Sequence, residues 1–396
     1  MPIPTPFYPR TSVLCESHEW RDWSGYLAAS LYEHLHDREY YAIRNAAALI
    51  DVSPLFKYEA RGPDALRFVN RVITRDLSRC AMGQVMYSPW CDDAGKVIDD
   101  GTVARLAEDH FRITAADPNL AWFQDCAFGL DVDVRDVSSH LAALAFQGPS
   151  SRQILQRVLS GVDLEKLKYY HLAAAQAGAI PLTVSRTGYT GDLGYELWIA
   201  PEYAISVWDM LIEHGTGYGI APAGMLALDI ARIEAGLIMI QIDYISTRHA
   251  LIPDQKSSPF EVGLGWAVDL DKGNFVGRKA LLAEKSSGSK WMLVGVEVDW
   301  TSLEAQYARY NLTPRVAGRA SRAAVPIYKG SRQVGQMTSH TFSPLLKKYI
   351  GLGTVERQYA GIGDRASVEV TVEYTRQKAD ARLVKTPFYN PPRKRA

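Results

Sequence analysis

The chain of 396 residues carries 44 lysine and arginine residues against 44 aspartate and glutamate residues, so its formal net charge is zero. Such a balance argues against nucleic acid or an anionic membrane as the partner, because those partners select a basic surface. The composition, 47% hydrophobic and 22% charged, excludes a disordered, collagen-like or coiled-coil protein, and the length predicts two or three domains.

Hydrophobic periodicity divides the chain into a mixed region and a strand-rich end. In chain order the pattern predicts a helix over 37–49, a strand over 56–60, a helix over 63–72, strands over 97–106, 132–137 and 144–146, a helix over 150–159, strands over 180–186 and 195–199, and helices after Pro201 and over 226–237. The polar segment 284–290 is predicted to be a linker, and the segment beyond it a β domain. The basic end, 391–396, is predicted to be a solvated tail.

Cysteine usage and the amino terminus indicate the compartment. Four scattered cysteines are too few for a disulfide framework and predict reduced thiols. The first twenty residues lack a basic segment followed by an apolar run, and no stretch approaches the roughly 18 apolar residues of a membrane-spanning helix. We therefore expect a cytoplasmic protein without a membrane partner.

The signatures of common cofactors are incomplete. Two segments begin the GxGxxG pattern of dinucleotide-binding proteins, but Val268 and Glu356 occupy its last glycine position. His34 and His36 are two residues apart, and a helix points such side chains in different directions. We therefore expect neither a bound dinucleotide nor a metal ion.

The first candidate functional segment contains the pair Asp99 and Asp100, which follows two apolar residues at the end of a strand. Neighbouring strand residues point to opposite faces of a sheet, so only one of the two carboxylates can point inward. A partly buried carboxylate at this place can accept a proton or stabilise a cation. The alternative is the polar end of an ordinary hairpin, and the spacing alone leaves both interpretations open.

The second candidate segment is 186–196, in which glycine recurs at every third residue from 188 to 194 between two strands. Glycine lets the backbone approach a ligand closely, and tyrosine rings such as that of Tyr189 can flank a flat heterocycle. Glu196 begins the second strand, where its carboxylate can accept two hydrogen bonds from an aminopyrimidine edge. An irregular hairpin with packed tyrosines is the alternative interpretation.

These two segments, together with others in the same order along the chain, resemble the aminomethyltransferase family, which includes the T-protein of the glycine cleavage system. The matching segments cover nearly the whole chain and include 44–53, 62–65, 99–100, 146–149, 186–196, 232–236, 259–265, 275–280, 338–344 and 385–388. The resemblance implies an α+β fold of three domains, arranged as a cloverleaf around a cavity for tetrahydrofolate, with a C-terminal β-barrel or jelly-roll-like domain.

The domain organisation implied by the resemblance is discontinuous. Residues 1–54 together with 140–250 would form the folate-binding domain. Residues 55–139 together with 251–284 would form an α/β domain, and 290–396 the C-terminal β domain.

The resemblance also implies a catalytic group and a cofactor-binding group. Asp100 matches the catalytic aspartate, and its neighbour Asp99 is grouped with it. The residues expected to contact tetrahydrofolate are Tyr87, Tyr189, Glu196 and Arg232, with Glu196 hydrogen-bonded to the pterin.

Several positions depart from the T-protein pattern and indicate another donor. Leu228 stands where T-proteins carry an arginine that contacts the folate, and Pro54 stands where they carry a histidine. Segments 74–84, 167–170 and 257–265 instead resemble the folate-dependent demethylase branch, typified by dimethylsulfoniopropionate demethylase. These departures argue against a lipoyl carrier protein as the partner.

The leading prediction is transfer of a methyl group from a small donor to N5 of tetrahydrofolate. The donor would be a sulfonium, an amine or an aryl methyl ether, and a cationic donor is already activated, so that catalysis consists mainly of alignment. Trp20, Trp90 and Tyr170 are candidates to bind such a cation, with a role in the hydrophobic core as the alternative for the tryptophans. Two other functions are retained: aminomethyl transfer by a glycine-cleavage T-protein, and a non-catalytic, folate-binding regulatory protein.

Overall fold

The computed structural model describes residues 1–315 and 318–396. The helices are α1 (Tyr8–Leu14), α2 (Asp37–Asn45), α3 (Ala65–Val72), α4 (Leu120–Ala127), α5 (Ser151–Val158), α6 (Ala204–Gly215), α7 (Met225–Glu234), α8 (Arg278–Ser287) and α9 (Trp300–Ala308). The strands are β1 (Trp20–Trp23), β2 (Tyr26–Ala29), β3 (Ala47–Asp51), β4 (Phe56–Arg61), β5 (Val85–Cys91), β6 (Val97–Ala107), β7 (His110–Ala115), β8 (Asp133–Asp136), β9 (Ala142–Gln147), β10 (Leu159–Ser160), β11 (Leu172–Ala177), β12 (Ile180–Ser185), β13 (Gly194–Ile199), β14 (Ile220–Pro222), β15 (Trp291–Val298), β16 (Val325–Lys329), β17 (Arg332–Ser343), β18 (Lys348–Glu356), β19 (Arg365–Val372) and β20 (Thr375–Val384). Within the described ranges, every helix is too short or too polar to cross a lipid bilayer.

A seven-stranded sheet is assembled from two separate stretches of the chain. Its strand order is β10-β11-β12-β13-β9-β3-β14, so β3 inserts between β9 and β14, with which it pairs antiparallel and parallel respectively. Leu49 faces the cluster formed with α5 and α6, whereas Ile50 faces the cluster formed with α2 and α7. Because both faces of the sheet are covered, its central strands are continuous apolar runs.

The stretch of chain between β3 and β9 forms a five-stranded sheet with the strand order β5-β6-β7-β4-β8. Helix α3 packs on it through Phe68, Val69 and Val72, which lie on one face of the helix because Val72 follows the other two by four and three residues. Phe123 of α4 fills the same core and packs edge-on against Phe68. The sheet carries Asp99 and Asp100 on β6.

The C-terminal part closes into a six-stranded barrel, β15-β18-β17-β16-β19-β20. The α+β fold class and the C-terminal barrel expected from the sequence are therefore confirmed. The seven-stranded sheet, the five-stranded sheet and the barrel each lie within one of the three predicted domains, whose boundaries stay predictions.

Four local predictions differ from the structure. The helix predicted over 37–49 ends at Asn45, because the apolar run that follows is strand β3; a short apolar run does not distinguish a buried strand from a helix. The strand-rich end also contains helix α9, and the predicted linker is partly helical, since α8 continues to Ser287. The end of the chain is docked rather than solvated: Arg393 Nε lies 2.6 Å from Asp192 Oδ1.

Candidate functional site

Asp99 and Asp100 point to opposite faces of β6. Asp99 is fully buried and accepts hydrogen bonds from Asn119 Nδ2 at 2.9 Å and from the backbone N of Asp117 at 3.0 Å. Asp100 keeps partial exposure and faces a group of tyrosines. Strand alternation thus separates the pair into one carboxylate inside the core and one at the site.

Asp100 is held by two phenolic hydroxyls. Tyr87, on the neighbouring strand β5, donates to Oδ2 at 2.5 Å, and Tyr244, from the loop after α7, donates to Oδ1. Pro89 pairs with Asp100 across the two strands, so Tyr87 lies two residues further along β5 on the same face. Each carboxylate oxygen therefore has its own hydroxyl donor.

Burial and hydrogen bonding shift the pKa of the Asp100 carboxyl group in opposite directions. Burial raises the pKa of Asp100, and the hydroxyls of Tyr244 and Tyr87 oppose that rise because they bind the ionised form. The pKa of Asp99 lies well above its ordinary value because of burial and, next, the negative charge of Asp100. The two tyrosine hydroxyls thus favour the ionised form of Asp100, whereas burial and the charge of Asp100 favour the protonated form of Asp99.

The glycine-rich loop brings two further predicted residues to the site. Tyr189 donates its hydroxyl hydrogen to the backbone O of Ile238. The Glu196 carboxylate accepts a hydrogen bond from Thr187 at Oε2, while burial raises the pKa of Glu196 and Thr187 opposes that rise. Among residues 1–315 and 318–396, Oε1 of Glu196 has no hydrogen-bond partner, and the side chain is partly exposed.

Two glycines of this loop are required by a buried amide. A Cβ at Gly188 or Gly194 would lie 2.1 or 2.2 Å from Oε1 of Gln147. The Gln147 amide in turn donates from Nε2 to the backbone O atoms of Thr187 and Tyr195, at 3.2 and 3.1 Å. Gln147 therefore holds the two ends of the loop together, a role that the glycine spacing did not reveal.

Tyr170 lies with these residues. Burial is the main cause of the raised pKa of Tyr87, and its neighbours Asp100, Tyr189 and Tyr170 add to it. Burial also raises the pKa of Tyr170, with smaller contributions from Tyr169 and Glu196, so Tyr170 lies between Tyr87 and Glu196 in a poorly solvated region. Each of them is nevertheless partly exposed. We call the set Tyr87, Asp100, Tyr170, Tyr189, Glu196 and Tyr244 the tyrosine cleft.

Two of the predicted substrate-binding residues, Trp90 and Trp20, lie outside the tyrosine cleft. Trp90 is fully buried behind it, where its indole nitrogen donates to Asn119 Oδ1 at 3.2 Å, so it makes no contact with a substrate in this arrangement. Trp20 begins strand β1, which pairs with β2 in an antiparallel hairpin, and it packs against Tyr8 with ring centroids 5.4 Å apart. Both placements favour the structural alternative for the tryptophans.

The Arg232 guanidinium is enclosed rather than presented to a ligand. It is fully buried and donates to Asp229 Oδ1 at 3.0 Å, to Asp243 Oδ2 at 2.5 Å and to Ser339 Oγ at 2.8 Å. Both carboxylates keep the guanidinium charged, and their charges raise its pKa against the effect of burial. Arg232 thus joins α7, the following loop and barrel strand β17.

Sequence reasoning missed two residues of the site. Tyr244 is 144 residues from Asp100 along the chain, and no local pattern links the two. Trp266 is 64% exposed and stacks on Tyr87, with ring centroids 6.0 Å apart and an angle of 20° between the planes. An exposed tryptophan beside a tyrosine that binds the key carboxylate is recognisable only in three dimensions.

Comparison with known families agrees with this architecture. Residues 10–272 match the GCVT N-terminal domain, and residues 310–390 match the glycine cleavage T-protein C-terminal barrel domain. An α+β protein with a partly exposed, tyrosine-bound carboxylate and a closed C-terminal barrel is the class that the fold and site define. The chain belongs to the glycine cleavage T-protein (GCVT) family, as the sequence predicted.

Relatives within the family carry two kinds of name. The chain is 35% identical over 356 residues to an aminomethyltransferase of Desulfitobacterium hafniense, covering 89% of each protein, and 34% identical over 354 residues to one of Halothermothrix orenii, covering 88% of this chain and 90% of that protein. It is 33% identical over 369 residues to a trimethylamine-oxide aldolase of Ruegeria pomeroyi, covering 90% of this chain and 43% of that protein. The glycine cleavage system aminomethyltransferase T from Bartonella henselae has the same fold, with a TM-score of 0.82, 22% identity, and coverage of 98% of this chain and 99% of that one.

Proposed function

We propose that this chain transfers a one-carbon unit from a donor in which that unit is bound to nitrogen, sulfur or oxygen, to tetrahydrofolate held in the tyrosine cleft. The observation that carries the proposal is the partly exposed Asp100 carboxylate, whose two oxygens each accept a hydrogen bond from a tyrosine hydroxyl. Tetrahydrofolate is the cosubstrate of the family's aminomethyltransferases, to which the chain is similar over most of its length.

The residues of the cleft fit a reduced pterin. Glu196 offers one oxygen without a partner among the described residues, and an aminopyrimidine edge presents N–H donors to such an oxygen. The Tyr189 and Tyr170 rings supply flat, partly exposed surfaces in the same space. When bound, tetrahydrofolate would supply the nucleophilic ring nitrogen that receives the one-carbon unit.

The chain's own contribution is electrostatic and geometric. The Asp100 carboxylate can stabilise positive charge on the donor while the hydroxyls of Tyr87 and Tyr244 fix its direction. Burial strengthens this attraction because little water screens it. Trp266 extends the aromatic surface beyond Tyr87 toward solvent.

Aminomethyl transfer is the first candidate reaction. Its support is the similarity to proteins named aminomethyltransferase over about nine-tenths of both chains, at 35% identity. On this proposal, the donor is an aminomethyl group on a lipoyl carrier, and ammonia is released.

Demethylation of a small donor, the leading prediction from the sequence, is the second candidate. Leu228 favours it: the side chain is 7% exposed and lies in the apolar cluster that Tyr189 packs against, where T-proteins carry an arginine. The similarity to a protein named trimethylamine-oxide aldolase extends the candidate donors to small methylated amines. The activity of the dimethylsulfoniopropionate demethylase branch, which the sequence resembles, is one form of this second candidate.

One assay separates the candidates. The purified protein is incubated anaerobically with tetrahydrofolate and, in parallel, with an aminomethylated lipoyl carrier, dimethylglycine, dimethylsulfoniopropionate or an aryl methyl ether. Ammonia and 5,10-methylenetetrahydrofolate with the carrier alone support the first candidate, and folate products with a small donor support the second. Tetrahydrofolate binding without turnover of any donor would instead favour a non-catalytic, folate-binding protein.

A further inference from the structure

Tyr244 lies in the loop that follows α7, and this loop is anchored to α7 and to the barrel. Asp243 beside it accepts hydrogen bonds from Arg232 Nη1 at 2.5 Å and from the hydroxyls of Thr338 and Ser339 on barrel strand β17, each at 2.6 Å. Tyr244 itself is 3% exposed. The phenol therefore has little freedom to leave Asp100.

Among the described residues of the tyrosine cleft, Asp100 is the one carboxylate that lies on the five-stranded sheet, and the hydroxyl of Tyr244 contacts it. It donates to Oδ1 of Asp100, while Tyr87 donates to Oδ2. Hydrogen bonds from two O–H donors to one carboxylate are charge-assisted, and they favour the ionised form of that carboxylate. The other titratable groups near Asp100 are Asp99 on the same strand and Tyr189 on the glycine-rich loop.

We propose that Tyr244 is a positioning residue that, together with Tyr87, keeps Asp100 ionised and fixed in direction, so that Asp100 acts as a permanent anion toward a cationic donor and not as a proton acceptor. Protonation of either carboxylate oxygen would weaken a hydrogen bond that a buried phenol cannot replace with water. The statement about the donor rests on the proposed function, whereas the statement about the ionisation of Asp100 does not.

The ionisation of Asp100 can be measured without any substrate. Carboxyl ¹³C NMR of protein labelled at aspartate Cγ, with Asp100→Asn to assign the signal, gives the titration midpoint of Asp100 in the folate-free protein. Losing one charge-assisted hydrogen bond shifts such a midpoint by about one to two pH units, so we expect Tyr244→Phe to raise it by that amount. Tyr87→Phe should move the midpoint in the same direction and serves if Tyr244→Phe does not fold.

A second readout connects this ionisation to turnover. The acidic limb of the pH profile of kcat/KM should move to higher pH in Tyr244→Phe, because the anion now forms at higher pH. Tyr328→Phe is the matched control: its hydroxyl also binds a carboxylate, Glu369 Oε2 at 3.1 Å, but on the barrel, and its profile should match that of the parent protein.

The outcomes are distinct. A raised NMR midpoint with a shifted acidic limb supports the proposal, and a raised midpoint in a protein that transfers no one-carbon unit supports the role of Tyr244 while contradicting the proposed function. An unchanged midpoint in both Tyr244→Phe and Tyr87→Phe overturns the proposal, even if turnover falls. An acidic limb that shifts equally when Tyr244→Phe is made in an Asp100→Asn protein also overturns it.

Discussion

Replacement of Arg232 by methionine tests whether this residue holds the fold or contacts the cofactor. The guanidinium is fully buried and is the ion-pair partner of two buried carboxylates, those of Asp229 and Asp243. Breaking a buried ion pair from one side costs about 3–5 kcal/mol, because the remaining charge is left uncompensated. Asp229 keeps a second partner, Arg322 Nε at 2.7 Å, and Asp243 keeps the hydroxyls of β17, so we expect a loss near the lower end, about 3 kcal/mol.

Thermal unfolding followed by circular dichroism at neutral pH measures this loss. In a cooperatively unfolding unit of about 150–250 residues, each kcal/mol lowers the midpoint temperature by roughly 2–4 °C. The midpoint of the first unfolding transition should therefore be about 6–12 °C lower in Arg232→Met than in the parent. Arg10→Met is the control: Arg10 pairs with Asp209 at 2.6 Å, but both side chains are nearly half exposed, so the midpoint should hardly change. A midpoint for Arg232→Met that matches the parent, combined with tetrahydrofolate affinity at least tenfold weaker, would refute the structural role and restore the predicted cofactor contact.

Two further changes test the site and its support. Asp100→Asn keeps the size of the side chain but removes the charge, so kcat should fall on the order of 10²–10³-fold while the midpoint of thermal unfolding stays within a few degrees; unchanged turnover would exclude Asp100 from catalysis. Arg393→Gln removes the ion pair that docks the end of the chain on the buried Asp192, so the midpoint should fall by roughly 2–4 °C and proteolysis should remove the last residues faster. An unaltered proteolysis rate would show that the docked end contributes nothing.

The sequence predicted the fold class and the family, because ordered motifs and periodicity are local signals. Alternation along a strand also predicted that Asp99 and Asp100 would be separated, but not which one reaches the cleft. That choice depends on the register with β5, where Trp90 lies opposite Asp99 and buries its side of the sheet. Strand β3 was mistaken for the end of a helix because a run buried on both faces has no period to detect.

The contacts that were not predicted are those between distant parts of the chain. Tyr244 reaches Asp100 across 144 residues, and Arg232 reaches Ser339 across 107. Tryptophan composition suggested a binding role for Trp90, whereas its position in the core makes it a support for Asn119 and thereby for Asp99.

Anaerobic titration calorimetry of tetrahydrofolate with the parent protein and with Glu196→Gln tests whether the tyrosine cleft binds the cofactor. We expect one site per chain in the parent. We also expect an affinity about ten- to a hundredfold weaker in Glu196→Gln, because a charge-assisted hydrogen bond to the pterin is lost. Glu369→Gln, on the barrel, should bind as the parent does. Absence of binding by the parent, or equal affinity in Glu196→Gln, would contradict the placement of tetrahydrofolate in the tyrosine cleft.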